Sequence, residues 1–281
     1  MPEKEPQFFR TEEGGAEVRP EKPIFEILEE RAKIAESGAR EISPEEKKML
    51  FSSAERISSN VPGVVVVGGT ALRIYLEHFG KKVLEEFGKD IDCILEKESY
   101  ERAREALPPK KGREGIPPYP DKLFSPMKKE KLRYFFEREE GEEMPDGRRE
   151  FLKDPENHMA LKDKQTHYHI DMFPQQEITT GIKRVRLGGR RGINLLSPEE
   201  LLMRRMSSIK RGMEEGNLQR RHVIYFYLNG SLIREKEMDK LWEKVRVKKE
   251  DVKDWREVWL ELDREIQRAE AEGKITEKIA H

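Results

Sequence analysis

Four consecutive valines, Val64 to Val67, run straight into Gly68-Gly69-Thr70-Ala71-Leu72. A β-branched run of this length reads as a buried strand. The glycine pair then lets the backbone turn sharply and come close to a ligand, and an apolar pattern of helical period starts at Ala71. Thr70 is therefore placed near a helix N-terminus, where amide groups without intrahelical partners and the positive end of the helix dipole favour phosphate. About twenty residues on, Lys89-Asp90-Ile91-Asp92-Cys93-Ile94-Leu95 sets two carboxylates at i and i+2 of a second apolar run. In a strand both leave the same face, roughly 7 Å apart at the backbone. Paired oxygen donors of this kind suit Mg²⁺, a hard cation that keeps several waters and is shared with substrate phosphates. Asp171, in Tyr168-His169-Ile170-Asp171-Met172-Phe173, lies in a further stretch with the alternation of a strand.

The ordered set of strand, Gly-Gly turn, helix, Asp-x-Asp strand and later Asp strand resembles the polymerase-beta-type nucleotidyltransferase superfamily. With Leu196-Ser197-Pro198-Glu199-Glu200-Leu201-Leu202 added, it is most similar to the nucleotidyltransferase toxins of type IV toxin–antitoxin systems, the abortive-infection E family. The resemblance spans about residues 60–230. It implies an α+β nucleotidyltransferase fold, a mixed sheet flanked by helices, with an N-terminal helical extension and a C-terminal helical region. It further implies that Gly68, Gly69 and Thr70 bind the nucleotide phosphates, and that Asp90, Asp92 and Asp171 hold two Mg²⁺ ions and carry the catalysis. The reaction expected is transfer of NMP from an NTP to an acceptor hydroxyl, with Asp171 as proton acceptor.

The chain departs from the family pattern in three places. The family's basic residue and serine before the first Asp are replaced by Phe87-Gly88-Lys89, leaving Lys89 as a nucleotide-binding substitute. Arg204 or Arg205 stands near the family's helical lysine, and Arg221-His222-Val223 runs where an aspartate is expected. Arginine clamps phosphate but does not deprotonate a nucleophile. A catalytically silent nucleotidyltransferase-like module that binds RNA or a partner protein is therefore the alternative. A second alternative arises from His167, His169 and Asp171, which share one face if they lie in a strand and could then ligate a transition metal.

Around this centre the chain divides into residues 1–60, an irregular start followed by helices; 61–196, the core, with an insertion over about 108–165 containing a strand or two; and 197–281, helical. Ser43-Pro44-Glu45-Glu46 and Ser197-Pro198-Glu199-Glu200 are both helix-start patterns, a capping serine with proline at the first helical position. The helix from Ala71 is expected to reach about Phe87 with Phe79 on its packed face, and Ser99 to cap a helix over 100–107. Residues 182–187 and 192–196 suggest a hairpin. In the tail, Val252, Trp255, Trp259, Leu262, Ile266 and Ala269 form an apolar seam on a charged helix, expected to pack against the helices after Ser197.

Between Lys183 and Arg221 eleven basic residues face four acidic ones, in a chain of net charge −1. That local excess fits RNA, tRNA above all given the family, as acceptor or ligand; the family also implies a cognate antitoxin as partner. A charged content of 40%, a single cysteine and no apolar run near the roughly 20 residues of a membrane span point to a cytoplasmic protein with no membrane partner.

Overall fold

The computed structural model describes residues 24–37, 40–83, 90–105, 124–126, 158–175, 182–187, 191–214, 229–248 and 253–273. Its elements are α1 (Ile24–Ser37), α2 (Pro44–Asn60), β1 (Val65–Val66), α3 (Gly68–His78), β2 (Ile91–Glu96), α4 (Lys97–Glu105), β3 (Phe124–Pro126), β4 (Met159–Asp163), β5 (His169–Gln175), β6 (Lys183–Val185), β7 (Ile193–Leu195), α5 (Pro198–Glu214), α6 (Glu235–Lys248) and α7 (Trp255–Ala271). The architecture is α+β with a mixed sheet in the order β3-β4-β5-β2-β1-β7-β6. The pairs β2–β5 and β1–β7 are parallel, and the remaining four pairs are antiparallel. Two of the strands, β3 and β4, fall inside residues 108–165.

The chain forms two compact units, Glu41–Leu196 and the combination of Met1–Arg40 with Ser197–His281. So α2 belongs with the sheet, whereas α1 belongs with the later helices. In the sheet unit Ser43 caps α2 as its sequence suggests, its Oγ accepting from the Glu46 amide at 3.1 Å. The central strands are buried on one face through Ile91, Cys93, Leu95, Ile170 and Met172, a parity set by the pleat.

The helix after the glycine pair is shorter than its apolar pattern suggests. Gly80 takes φ +67, with Gly80 N donating to Glu77 O at 3.0 Å and Lys81 N to Leu76 O at 2.8 Å, a Schellman ending that closes α3 at His78. Phe79 consequently lies past the helix and is 55% exposed, not on the packed face. Ser99 is likewise no cap, because α4 begins at Lys97; its Oγ accepts from Arg102 instead.

The turn joining β4 to β5 is organised by Asp163, whose side chain is fully buried. One carboxylate oxygen accepts from the Gln165 amide at 2.8 Å, and the other from Ser53 Oγ at 2.8 Å and Arg56 Nε at 2.9 Å. Ser53 also hydrogen-bonds Thr166, so α2 is pinned to the hairpin. Burial pushes this carboxyl's pKa up, but the Gln165 amide, Arg56, Ser53 and the Thr166 amide outweigh it and hold the pKa below the ordinary 3.8. A carboxyl with a lowered folded-state pKa contributes stability above its unfolded pKa and loses it as pH falls toward the folded one. Wild type should therefore lose stability below about pH 4, and Asp163→Asn should lose less over that window. At pH 7 Asp163→Asn is expected to cost about 3 kcal/mol, since it leaves Arg56 without its anion. Urea melts at pH 7 and pH 3 check both; equal pH dependence in the two proteins would exclude Asp163 as the source.

In the helical unit, Leu202, Met206, Ile209, Met238, Leu241, Trp242, Trp255, Val258, Trp259, Leu262 and Ile266 form one core with Ile24 and Leu28 of α1. From Trp255 to Ala269 the tail seam packs within the chain as expected, while Val252, its first residue, lies outside the described residues. Ser197 Oγ accepts from the Glu200 amide at 3.2 Å, capping α5.

Candidate metal centre

The strand β1 leads directly into α3 through Gly68, whose φ of +66 is the left-handed turn that glycine makes at least cost. Val67 N donates to Asp92 O at 2.8 Å, bracing the turn against β2. The space beside Gly68 is filled by the Asp92 side chain: a Cβ there would lie 2.3 Å from Asp92 Oδ2. Thr70 is buried, and its hydroxyl donates to Asp90 O at 2.7 Å. The hydroxyl thus ties the helix start to the Asp-x-Asp strand. No side chain caps α3, and the amides of its first turn have no partners within the helix.

Opposite residues of a parallel pair share a face, and β2 pairs β5 with Asp92 against Asp171. Asp90, at the entrance to β2, has the same parity as Asp92. The three carboxylates therefore converge, each offering an oxygen within 4.8 Å of the others. All three are half-buried. This is an oxygen-only donor set of three anions with solvent access, and it fits a hard divalent cation such as Mg²⁺ better than a thiophilic ion. Cys93, between them in sequence, points to the other face and is buried. Burial, with the charges of Asp92 and Asp171 adding to it, pushes its thiol pKa well up, so Cys93 stays protonated and contributes no thiolate.

The histidine alternative meets a different geometry. His167 has φ +66 and lies in the turn before β5, donating its amide to Asp163 O, so it does not continue the alternation of His169 and Asp171. Among the described residues the metal-competent group is Asp90, Asp92 and Asp171, without His167 or His169.

Asp171 does have a histidine neighbour, one that residue spacing alone left unnoticed. The antiparallel β4–β5 register, Met159 opposite Met172 and Ala160 opposite Asp171, sets the preceding residue, His158, beside Phe173. His158 is buried and its ring stacks on Phe173 at 5.0 Å. Asp171 Oδ1 accepts from His158 Nε2 at 2.7 Å. The alternation of His158, Ala160 and Lys162 against Met159 and Leu161 was the available signal. It was obscured by the charged, proline-rich stretch before it.

Of the other candidates, Lys89 lies outside the described residues. Arg204 and Arg205 belong to α5 in the helical unit, where Arg204 Nη2 donates to the buried Glu200 at 2.8 Å. Lys183, Arg184, Arg186 and Arg191 are exposed on the sheet unit, while Arg190, Arg220 and Arg221 are outside the described residues. No helix among the described residues is long and apolar enough to cross a membrane.

What fold and site define together is an α+β protein with a mixed sheet and a carboxylate triad able to hold a metal ion. No family model, curated protein or solved structure matches the chain.

Proposed function

We propose that this protein is a Mg²⁺-dependent nucleotidyltransferase that transfers NMP from an NTP to an acceptor hydroxyl. The observation that carries the reading is the convergence of Asp90, Asp92 and Asp171 within 4.8 Å, with the uncapped start of α3 lying against Asp92. Triphosphate oxygens would be bound by the amides of Gly68, Gly69 and Thr70, where helix start and missing Cβ atoms favour close approach. Two Mg²⁺ ions held by the three carboxylates would supply charge at the acceptor oxygen and the leaving pyrophosphate. The acceptor oxygen bonds to the α-phosphorus, the bond to the bridging oxygen breaks and pyrophosphate departs. The hydroxyl proton passes to the Asp171 carboxylate.

RNA, tRNA in particular, is the acceptor we favour, on the exposed Lys183, Arg184, Arg186 and Arg191 and the family resemblance. The same resemblance supports reading it as a cytoplasmic toxin with a cognate antitoxin as partner. One observation favours a silent RNA- or protein-binding module instead: Arg204, one of the two arginines near the family's helical lysine, is engaged by Glu200.

Incubation with α-labelled NTPs, Mg²⁺ and pools of RNA, protein and metabolites tests the reading. Label is expected in an RNA fraction, falling more than about 100-fold in Asp92→Asn, beyond what loss of an outer partner of a metal ligand costs. A folded Asp92→Asn protein labelling at the wild-type rate would overturn the site. Asp92-dependent binding of Mg²⁺ and a nonhydrolysable NTP with no transfer to any pool would leave the silent module.

A further inference from the structure

Resting on the metal-centre reading above, we infer that His158 is a positioning residue for the third carboxylate, fixing Asp171 in the orientation in which it receives a divalent cation. The residue sits one position before β4, and the β4–β5 register delivers it to the face that carries Asp171. Its ring is buried and held flat against Phe173, with centroids 5.0 Å apart and planes 21° from parallel. From that fixed platform Nε2 lies 2.7 Å from Asp171 Oδ1.

A carboxylate on a strand still rotates about its last side-chain bond, and each rotation presents different lone pairs to a neighbouring ion. Engaging one oxygen from a ring that cannot itself turn stops this rotation and leaves the second oxygen's full capacity for an ion. Carboxylates that ligate metals are characteristically held this way, and loss of the outer partner costs roughly 10–100-fold in metal affinity. Asp90 and Asp92 lie two residues apart at the entrance and start of β2, on backbone that Thr70 and Val67 brace. Asp171 comes from another strand, and His158 does for it what those backbone contacts do for the pair. The role concerns geometry, so it predicts an effect on ion affinity in a protein whose fold is unchanged.

Two substitutions separate the hydrogen bond from the packing. His158→Phe keeps a ring on Phe173 and removes the donor, while His158→Gln keeps an N–H of similar reach and removes the ring. Mn²⁺ binding by calorimetry is measured on the full chain, beside Asp92→Asn, with melting temperatures taken without metal. The expected result is wild-type binding of Mn²⁺, loss of about tenfold or more in His158→Phe at little cost in melting temperature, and affinity within about threefold of wild type in His158→Gln. If wild type binds Mn²⁺ in an Asp92-dependent way and His158→Phe binds as tightly, His158 is mere packing and this inference alone falls. The reverse ranking, with His158→Gln the weaker binder and the less stable protein, also overturns it. If wild type binds no Mn²⁺, the metal centre fails and the role of His158 falls with it.

Discussion

Replacing Gly68 by alanine should abolish metal binding while the sheet stays folded. Two costs meet at this position. The φ of +66 is a left-handed conformation that costs an L-residue with a Cβ roughly 1–2 kcal/mol. That alone would be tolerated. The second cost decides the outcome: the new methyl carbon would lie 2.3 Å from Asp92 Oδ2 and 3.2 Å from Asp92 Cγ, well inside contact distance. The backbone of β2 cannot retreat, since it is paired to β1 on one side and β5 on the other. The Asp92 carboxylate must therefore rotate out of the triad, which takes away one of the three carboxylates that could hold the ion. Gly80→Ala is the control. Gly80 has nearly the same φ, +67, but nothing within 4 Å of a Cβ, so it should lose about 1 kcal/mol of stability and no Mn²⁺ affinity. Calorimetric titration of both variants separates backbone strain from displacement, and equal, wild-type affinities would show that Asp92 does not serve the metal.

The double substitution Trp255→Ala and Trp259→Ala should unfold the helical unit. Both side chains are completely buried. Trp255 donates its indole N–H to Asp239 at 2.8 Å, meets Phe25 edge-on at 6.2 Å between ring centroids, and carries the Arg256 guanidinium 4.5 Å above its ring. Trp259 packs so closely that a Cβ on Gly230 would come within 3.1 Å of it. Each aromatic-to-alanine change in a core costs about 3–5 kcal/mol. Neighbours one turn apart do not add simply, but even a partial sum is comparable with the roughly 5–15 kcal/mol that holds a domain together. Trp242, the third tryptophan of the chain, stays behind as a reporter. Buried in wild type, it should emit at longer wavelength and lose its near-ultraviolet dichroism in the double variant. An unchanged emission maximum with an unchanged melting temperature would mean that the seam contributes nothing to this core.

The residues whose positions could be read from the sequence are those governed by short-range rules. Ser43 and Ser197 cap because a hydroxyl three residues from an amide has one geometry available to it. Trp255 to Ile266 point one way because helical periodicity is strict. That Asp90 and Asp92 share a face was legible from strand parity, whereas Asp171 was joined to them only through the family resemblance, because the pairing of β2 with β5 is not visible in the sequence. What escaped depends on longer-range or competing terms. Gly80 sits inside an apolar pattern that continues to Phe87, and only the backbone shows that its left-handed turn wins over periodicity. The alternation of His167, Tyr168 and His169 suggests a strand, but Asp163 draws the amides of Gln165 and Thr166 into a turn that leaves His167 outside it. His158 reaches Asp171 through the β4–β5 register; the local alternation of residues 158–162 marks a strand but not the strand it pairs with.

The parallel pairing of β2 with β5 also governs when the triad comes into being. These two strands are neighbours in the sheet, yet everything from Lys97 to Tyr168 lies between them in the chain. Closing so long a loop is entropically costly and is repaid only once the strands have met, which makes such pairings late events in folding. In a chain emerging from the ribosome Asp90 and Asp92 come early, with only β1, the turn at Gly68 and Thr70 to brace them. Until Asp171 has been synthesised and β5 has slid into register, there are two carboxylates and no site. Whatever chemistry the centre performs is thus withheld from the growing polypeptide until β5 has joined β2.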